Sequence, residues 1–199
     1  MGGFIESSDW GDLMGSNGVE RGLFLDRDGV INEEVGFLIR PEDVRFVPGI
    51  FSLCRTAREL GYRIFVVTNQ SGIARGYYSE EQFHRLMGWM AVEFAREGVG
   101  FDAVYHCPYH PEHGVGVYQQ EHEDRKPGPG MLRRGAREFG VELAESVMVG
   151  DRCSDVGAAQ AAGLRQAFLM GEMETRDCGG EFIRVRELGE VERWLVERE

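Results

Sequence analysis

Five short apolar runs recur along the chain: Gly22–Asp26 (GLFLD), Tyr62–Asn69 (YRIFVVTN), Phe101–His106 (FDAVYH), Glu145–Asp151 (ESVMVGD) and Arg165–Met170 (RQAFLM). They are nearly continuous rather than alternating, as strands covered on both faces are. Helical patterns separate them. Ser79 and Gln82 have capping-box spacing, Phe83, Leu86, Met87, Met90 and Phe94 follow at helical intervals, and Gly98 can stop the helix. Gly49–Gly61, Gly130–Gly140 and Ser154–Gly163 read as further helices closed by glycine. Strand and helix in alternation predict an α/β fold, a Rossmann-like parallel sheet with helices on both faces. In such a sheet ligands sit at the carboxyl ends of the strands.

The glycine-, serine- and aspartate-rich start predicts a loose arm over residues 1–20, with residues 21–199 as a single domain. The tail VRELGEVERWLVERE predicts a final amphipathic helix. No run of 18 apolar residues occurs, so no membrane span is expected, and the start lacks the basic and apolar regions of a signal peptide. A net charge of −12 argues against a nucleic-acid partner but leaves room for a small anionic substrate at a locally positive site. The expected setting is the cytoplasm and the expected state a monomer. Cys54, Cys107, Cys153 and Cys178 lack paired spacing, so free thiols in a reducing compartment are expected.

The strand ends carry the chemistry. The first run ends in Asp26-Arg27-Asp28-Gly29, the second in Thr68-Asn69-Gln70-Ser71-Gly72, and the fourth in Gly150-Asp151, with Asp155 close behind. Lys126, expected to open a helix, is the single lysine among 22 basic residues. A lone aspartate after a strand is commonly only a helix cap. Several acids at the mouth of one sheet instead call for a cation, and Mg²⁺ suits oxygen ligands. An ammonium and a hydroxyl beside it complete a phosphate environment. A compact ammonium is not interchangeable with guanidinium in a tight site, which explains one lysine kept where arginine serves elsewhere.

FLDRDGV, VVTNQSG, RKPGPGM and VGDRCSD resemble the four motifs of the haloacid dehalogenase superfamily, and LDRDGVIN with TNQSGIARGYYSEEQF is similar to the D-glycero-D-manno-heptose 1,7-bisphosphate phosphatases and the histidinol-phosphate phosphatases. The resemblance spans roughly Gly22 to Met170. It implies a haloacid dehalogenase-like phosphatase without a large cap domain, and the motif spacing leaves little room for one. It further implies Asp26 as nucleophile, Asp28 as general acid and base, Thr68 and Lys126 as phosphoryl ligands with Arg125 as helper, and Mg²⁺ on Asp26, the Asp28 carbonyl and Asp151. Asp155 is expected to orient Lys126 or the metal shell rather than to bind Mg²⁺ directly. The substrate implied is a small sugar bisphosphate, the heptose at its C7 phosphate, with contacts from Asn32, Glu34, Gly36, Phe37, Asn69, Gln70 and Ser71. The family carries more polar residues where this chain has Val35 and Phe37. Histidinol phosphate is the alternative substrate, and a non-catalytic phospho-ligand protein the alternative class. Retention of both Asp26 and Asp28 argues against the latter.

The segment His106–Gly128 holds four of the five histidines. Heptose phosphatases usually carry a zinc loop here, written C-x-H and then C-x-C. This chain keeps Cys107 but has Tyr109, His122 and Asp124 at the other three places. Zinc would have to use Cys107, His110 or His113, His122 and Asp124, a set poor in thiolate. The expected state is a loop held by its own hydrogen bonds, in an enzyme that works without zinc.

Overall fold

The computed structural model describes residues 19–171 and 178–198. Six parallel strands form one sheet among them, β1 (Arg21–Leu25), β2 (Tyr62–Asn69), β3 (Ala103–Cys107), β4 (Val147–Gly150), β5 (Gln166–Met170) and β6 (Ile183–Val185), in the order β3-β2-β1-β4-β5-β6. All five apolar runs are strands. The tail supplies a sixth, β6, which three residues without an apolar run did not announce. Helices α1 (Ile50–Glu59), α2 (Ser71–Ala74), α3 (Glu80–Arg96), α4 (Gly130–Phe139), α5 (Cys153–Ala162) and α6 (Leu188–Glu197) complete the Rossmann-like α/β fold.

Alternation along β1 explains the layering. Leu23 and Leu25 face the cluster built with Leu53 of α1, Phe83 and Met90 of α3, and Val191 of α6. Phe24 faces the other way, against Met131 of α4 and Ala158 of α5. Each fully buried side chain of this size contributes about 1.5–3 kcal/mol. The capping box of α3 is formed: Gln82 N donates to Ser79 Oγ at 3.2 Å, and Ser79 N donates to Gln82 Oε1 at 2.9 Å. The helices α4 and α5 end at Gly140 (φ 68°) and Gly163 (φ 79°), left-handed positions that suit glycine.

The strand order reverses direction between β1 and β4, so connections leave to opposite sides and open a crevice at their carboxyl ends. Asp26 stands at one lip and Asp151 at the other. The described residues form no large cap domain over it.

Two expectations are corrected. Lys126 does not open a helix; it lies four residues before α4, in a turn closed by Gly128 N donating to Arg125 O at 2.7 Å. Pro127 and Pro129 fix this turn and delay the helix. Nor are all four cysteines free: Cys153 and Cys178 form a disulfide, with Cα atoms 4.8 Å apart. Adjacent strands β4 and β5 bring the start of α5 beside the chain that follows β5, a proximity invisible in a separation of 25 residues. Cys54 and Cys107 are free and buried. Most of the expected N-terminal arm lies outside the described residues. No helix among the described residues is long and apolar enough to cross a membrane.

Candidate active site

Asp26 continues β1 by one residue, its N donating to Val149 O at 2.9 Å. Its carboxylate is buried, and Oδ1 accepts from Arg27 N and lies 2.8 Å from Lys126 Nζ. Lys126 Nζ also reaches Asp155 Oδ1 at 2.6 Å and donates to Val67 O at 2.8 Å. Two carboxylates and a carbonyl thereby enclose the ammonium. Burial works against the Lys126 charge, but Asp155 and Asp26 outweigh it and raise its pKa. Asp155 also accepts from Arg152 N at 2.9 Å, so one carboxylate caps α5 and holds the lysine. Gly150 is required behind it, because a Cβ there would stand 2.1 Å from the Asp155 Cβ.

Asp28 is held by the neighbouring Arg27, whose Nε and Nη2 donate to Oδ1 and whose Nη2 lies 2.6 Å from Oδ2. Asn32 Nδ2 donates to Asp28 Oδ1 at 3.0 Å, and Gln70 Nε2 to Oδ2 at 3.2 Å. Gln70 also donates to Thr68 Oγ1 at 2.8 Å and accepts from the Tyr78 hydroxyl at 2.5 Å. A chain of polar contacts thus runs from Thr68 to Asp28. Asn69 clasps the Lys126 backbone at two points: it accepts from Lys126 N and donates to Lys126 O, both at 3.0 Å.

The acids outnumber the cations here. Burial pushes Asp26 up to about 7, Lys126 opposing and Asp155 adding to the effect. Burial, with Asp155 again adding, pushes Asp151 to about 6. Asp26, Asp151 and Asp155 bring carboxylate oxygens within 4.8 Å of one another. The buried Oδ1 atoms of Asp151 and Asp155 both lack a hydrogen-bond partner, but Lys126 Nζ stands 2.6 Å from that of Asp155, whereas that of Asp151 faces Arg152 Nε at 3.8 Å. An orphaned oxygen among crowded carboxylates fits a hard divalent cation. Gly29, at φ 84°, makes room for this arrangement: a Cβ there would meet Asp151 Oδ2 at 2.4 Å.

A cavity of about 330 Å³ opens over these groups. Asp26, Asp28, Thr68, Asn69, Gln70, Ser71, Arg125 and Lys126 all line it, as do Glu34, Gly36 and Phe37 at its mouth. Asn32 is fully buried beneath Asp28 and does not line it. Glu34 pairs with Arg152 across the opening at 2.9 Å. Arg125 donates to Tyr109 O at 3.0 Å.

Known proteins resemble this chain in sequence and fold. The D-glycero-α-D-manno-heptose-1,7-bisphosphate 7-phosphatase of Burkholderia mallei is 50% identical over 150 residues, 75% of this chain and 79% of the relative. The β-anomer 7-phosphatase of Vibrio cholerae is 48% identical over 149 residues, 74% of this chain and 80% of the relative. The chain belongs to the heptose-bisphosphate phosphatase family. A family model described as HAD-hydrolase-like matches residues 124–179. The crystal structure of the D,D-heptose 1,7-bisphosphate phosphatase from B. bronchiseptica, complexed with magnesium and phosphate, superposes with a TM-score of 0.74 at 27% identity, covering 90% of this chain and 99% of that one. The protein is therefore a phosphoric monoester hydrolase of the haloacid dehalogenase type.

Cys107, His110, His122 and Asp124, the set that zinc would have to use, are not among the groups whose potential ligand atoms converge. Cys107 is buried with its Sγ 4.0 Å from Tyr109 O, and His110 Nδ1 accepts from the backbone of Glu112 and His113. His122 stacks on Tyr109 and accepts from Asp124 N, while Asp124 pairs with Arg134 at 3.2 Å. Three residues escaped the sequence reading: Arg27, Tyr78 and Arg152. Arg27 offered a signal, an arginine wedged between two aspartates at the end of an apolar strand.

Proposed function

We propose that the chain removes the C7 phosphate of D-glycero-D-manno-heptose 1,7-bisphosphate through an aspartyl-phosphate on Asp26, with Mg²⁺ as cofactor. The observation that carries this reading is the buried Asp26–Lys126–Asp155 array at the crevice, in a chain about half identical to heptose 7-phosphatases. Asp26 and Asp151, with the Asp28 carbonyl, would hold the cation, which supplies charge neutralisation at the phosphoryl group.

Lys126 and Thr68 bind the phosphoryl oxygens, and Arg125 at the cavity wall adds positive charge. The free oxygen of Asp26 attacks phosphorus, and the bond to the C7 oxygen breaks. Asp28 gives that oxygen a proton. In the second half Asp28 takes a proton from water, the water oxygen attacks the phosphoryl group, and Asp26 is released with inorganic phosphate. The fork of Arg27 and the amides of Asn32 and Gln70 hold Asp28 for both transfers. Glu34, Gly36, Phe37 and Ser71 lie where the sugar enters, whereas the amides of Asn69 and Gln70 already hold Lys126, Thr68 and Asp28.

Phosphate release with Mg²⁺ present tests the reading over both heptose bisphosphate anomers, histidinol phosphate and nucleotides. Turnover of a heptose bisphosphate, lost in Asp26→Asn with the fold intact, is the expected result. Turnover of histidinol phosphate alone would overturn the substrate, and an active Asp26→Asn variant would overturn the mechanism.

A further inference from the structure

Away from the crevice, a second group of metal-binding side chains meets at the start of α3. Glu80 opens that helix, His84 follows one turn later on the same face, and His106 comes from β3. Among the described residues, only this trio and the Asp26–Asp151–Asp155 group bring three or more potential ligand atoms within 4.8 Å of one another. We propose that Glu80, His84 and His106 form a transition-metal site of the zinc class, separate from the catalytic cation site and from the Cys107 loop.

The donor chemistry selects the metal. Two imidazoles and one carboxylate suit Zn²⁺ with a water in the fourth position, whereas Mg²⁺ prefers oxygen alone. Ligand bonds of about 2.0 Å place neighbouring donors ~3.3 Å apart around a tetrahedral zinc. Glu80 Oε2 and His106 Nε2 are 3.0 Å apart, close to that edge. His84 is exposed, with its ring centroid 5.0 Å from that of His106, and side-chain rotation would close the remaining separation. The other Glu80 oxygen accepts from the Tyr118 hydroxyl at 2.8 Å, the kind of outer hydrogen bond that orients a ligating carboxylate. His106 is only 14% exposed, and Phe83 packs against its ring at 4.5 Å, so the ligand from the strand is fixed in place. An open cleft of about 470 Å³ lies over the trio and gives the metal and its water access.

The site has a defined mechanical position. His106 stands beside Thr68 in the β2–β3 register, and Cys107 O accepts from Gln70 N at 2.8 Å. A metal bonded to Glu80, His84 and His106 ties the first turn of α3 to the strand that flanks the Thr68–Gln70 segment. Its role is that of a clamp, with no part in the transfer of the phosphoryl group.

The test uses full-length protein prepared without a histidine tag, stripped with chelator and then held in excess Mg²⁺. Zn²⁺ is titrated by calorimetry and Co²⁺ by visible absorption. The expected result is one equivalent of Zn²⁺, a tetrahedral-type Co²⁺ spectrum without thiolate charge transfer, and a higher melting temperature with Zn²⁺. His84→Ala should weaken binding at least ~10-fold, the scale on which even outer-partner losses act, and abolish the melting shift while keeping Mg²⁺-supported activity. Glu80→Gln should weaken binding as well. Unchanged zinc affinity in His84→Ala overturns the proposal, as does a wild-type protein that takes up no zinc beyond Mg²⁺. Loss of the metal in Cys107→Ser with His84→Ala unaffected also overturns it, by placing the ion in the loop.

Discussion

Replacing Lys126 with methionine keeps the side-chain length and removes the charge. The native ammonium serves Val67 O at 2.8 Å, Asp26 Oδ1 at 2.8 Å and Asp155 Oδ1 at 2.6 Å, with the lysine and Asp155 side chains both 2% exposed. Each hydrogen bond to a charged group is worth about 1.5–3 kcal/mol, and removing one partner of a buried pair costs about 3–5 kcal/mol. The second figure already contains the stranded carboxylates, so about 3–5 kcal/mol is the expected loss in metal-free protein. The loss should depend on pH. Burial has raised Asp26 from its ordinary 3.8 to about 7 even with Lys126 beside it. Without the lysine it moves further up. A carboxyl whose folded pKa exceeds its unfolded one binds protons more readily in the folded state, so stability rises as pH falls through the raised value toward 3.8. Urea unfolding of chelator-stripped protein should therefore show a larger deficit for Lys126→Met at about pH 8.5 than at about pH 6. Turnover should vanish at saturating Mg²⁺. A deficit under about 1 kcal/mol at the higher pH, or one equal at both, would refute the buried-pair reasoning.

Asp28→Asn should lower kcat by roughly 10²–10⁴ without loss of fold, since the amide keeps several of the contacts with Arg27 but shuttles no proton; near-normal kcat would remove Asp28 from that role. Asp151→Ala should sharply raise the Mg²⁺ concentration needed for half-maximal rate, and chelator should silence the wild-type enzyme until Mg²⁺ is returned. Full activity in excess chelator would speak against the cation site at Asp26 and Asp151.

The main strands were legible because a strand buried on both faces must be apolar throughout, as Leu23-Phe24-Leu25 and Phe65-Val66-Val67 are. The acids were legible because each follows such a run. Less visible was anything set by neighbours distant in sequence. Asn69 reads as a substrate contact beside Thr68, yet its amide closes on the backbone of Lys126, 57 residues away. Cys153 and Cys178 meet only because β4 and β5 are adjacent. Glu80, His84 and His106 belong to a helix and a strand whose juxtaposition no spacing rule encodes. Arg27 was passed over because an arginine that is 1% exposed is rare, and its burial depends on Asp28, Asn32 and Phe83 arriving around it.

The sole lysine of the chain is also one of its most deeply enclosed side chains. Amine-selective reagents consequently reach the ε-amino group only through the crevice, where Lys126 is 3% exposed and held by Asp26, Asp155 and Val67 O, so acylation is slow until those contacts open. A single mass increment on the peptide spanning Lys126 then counts the molecules that have opened. Pulsed acylation followed by mass spectrometry turns this residue into a native clock for breathing of the crevice, with no label introduced and no second lysine to confuse the reading.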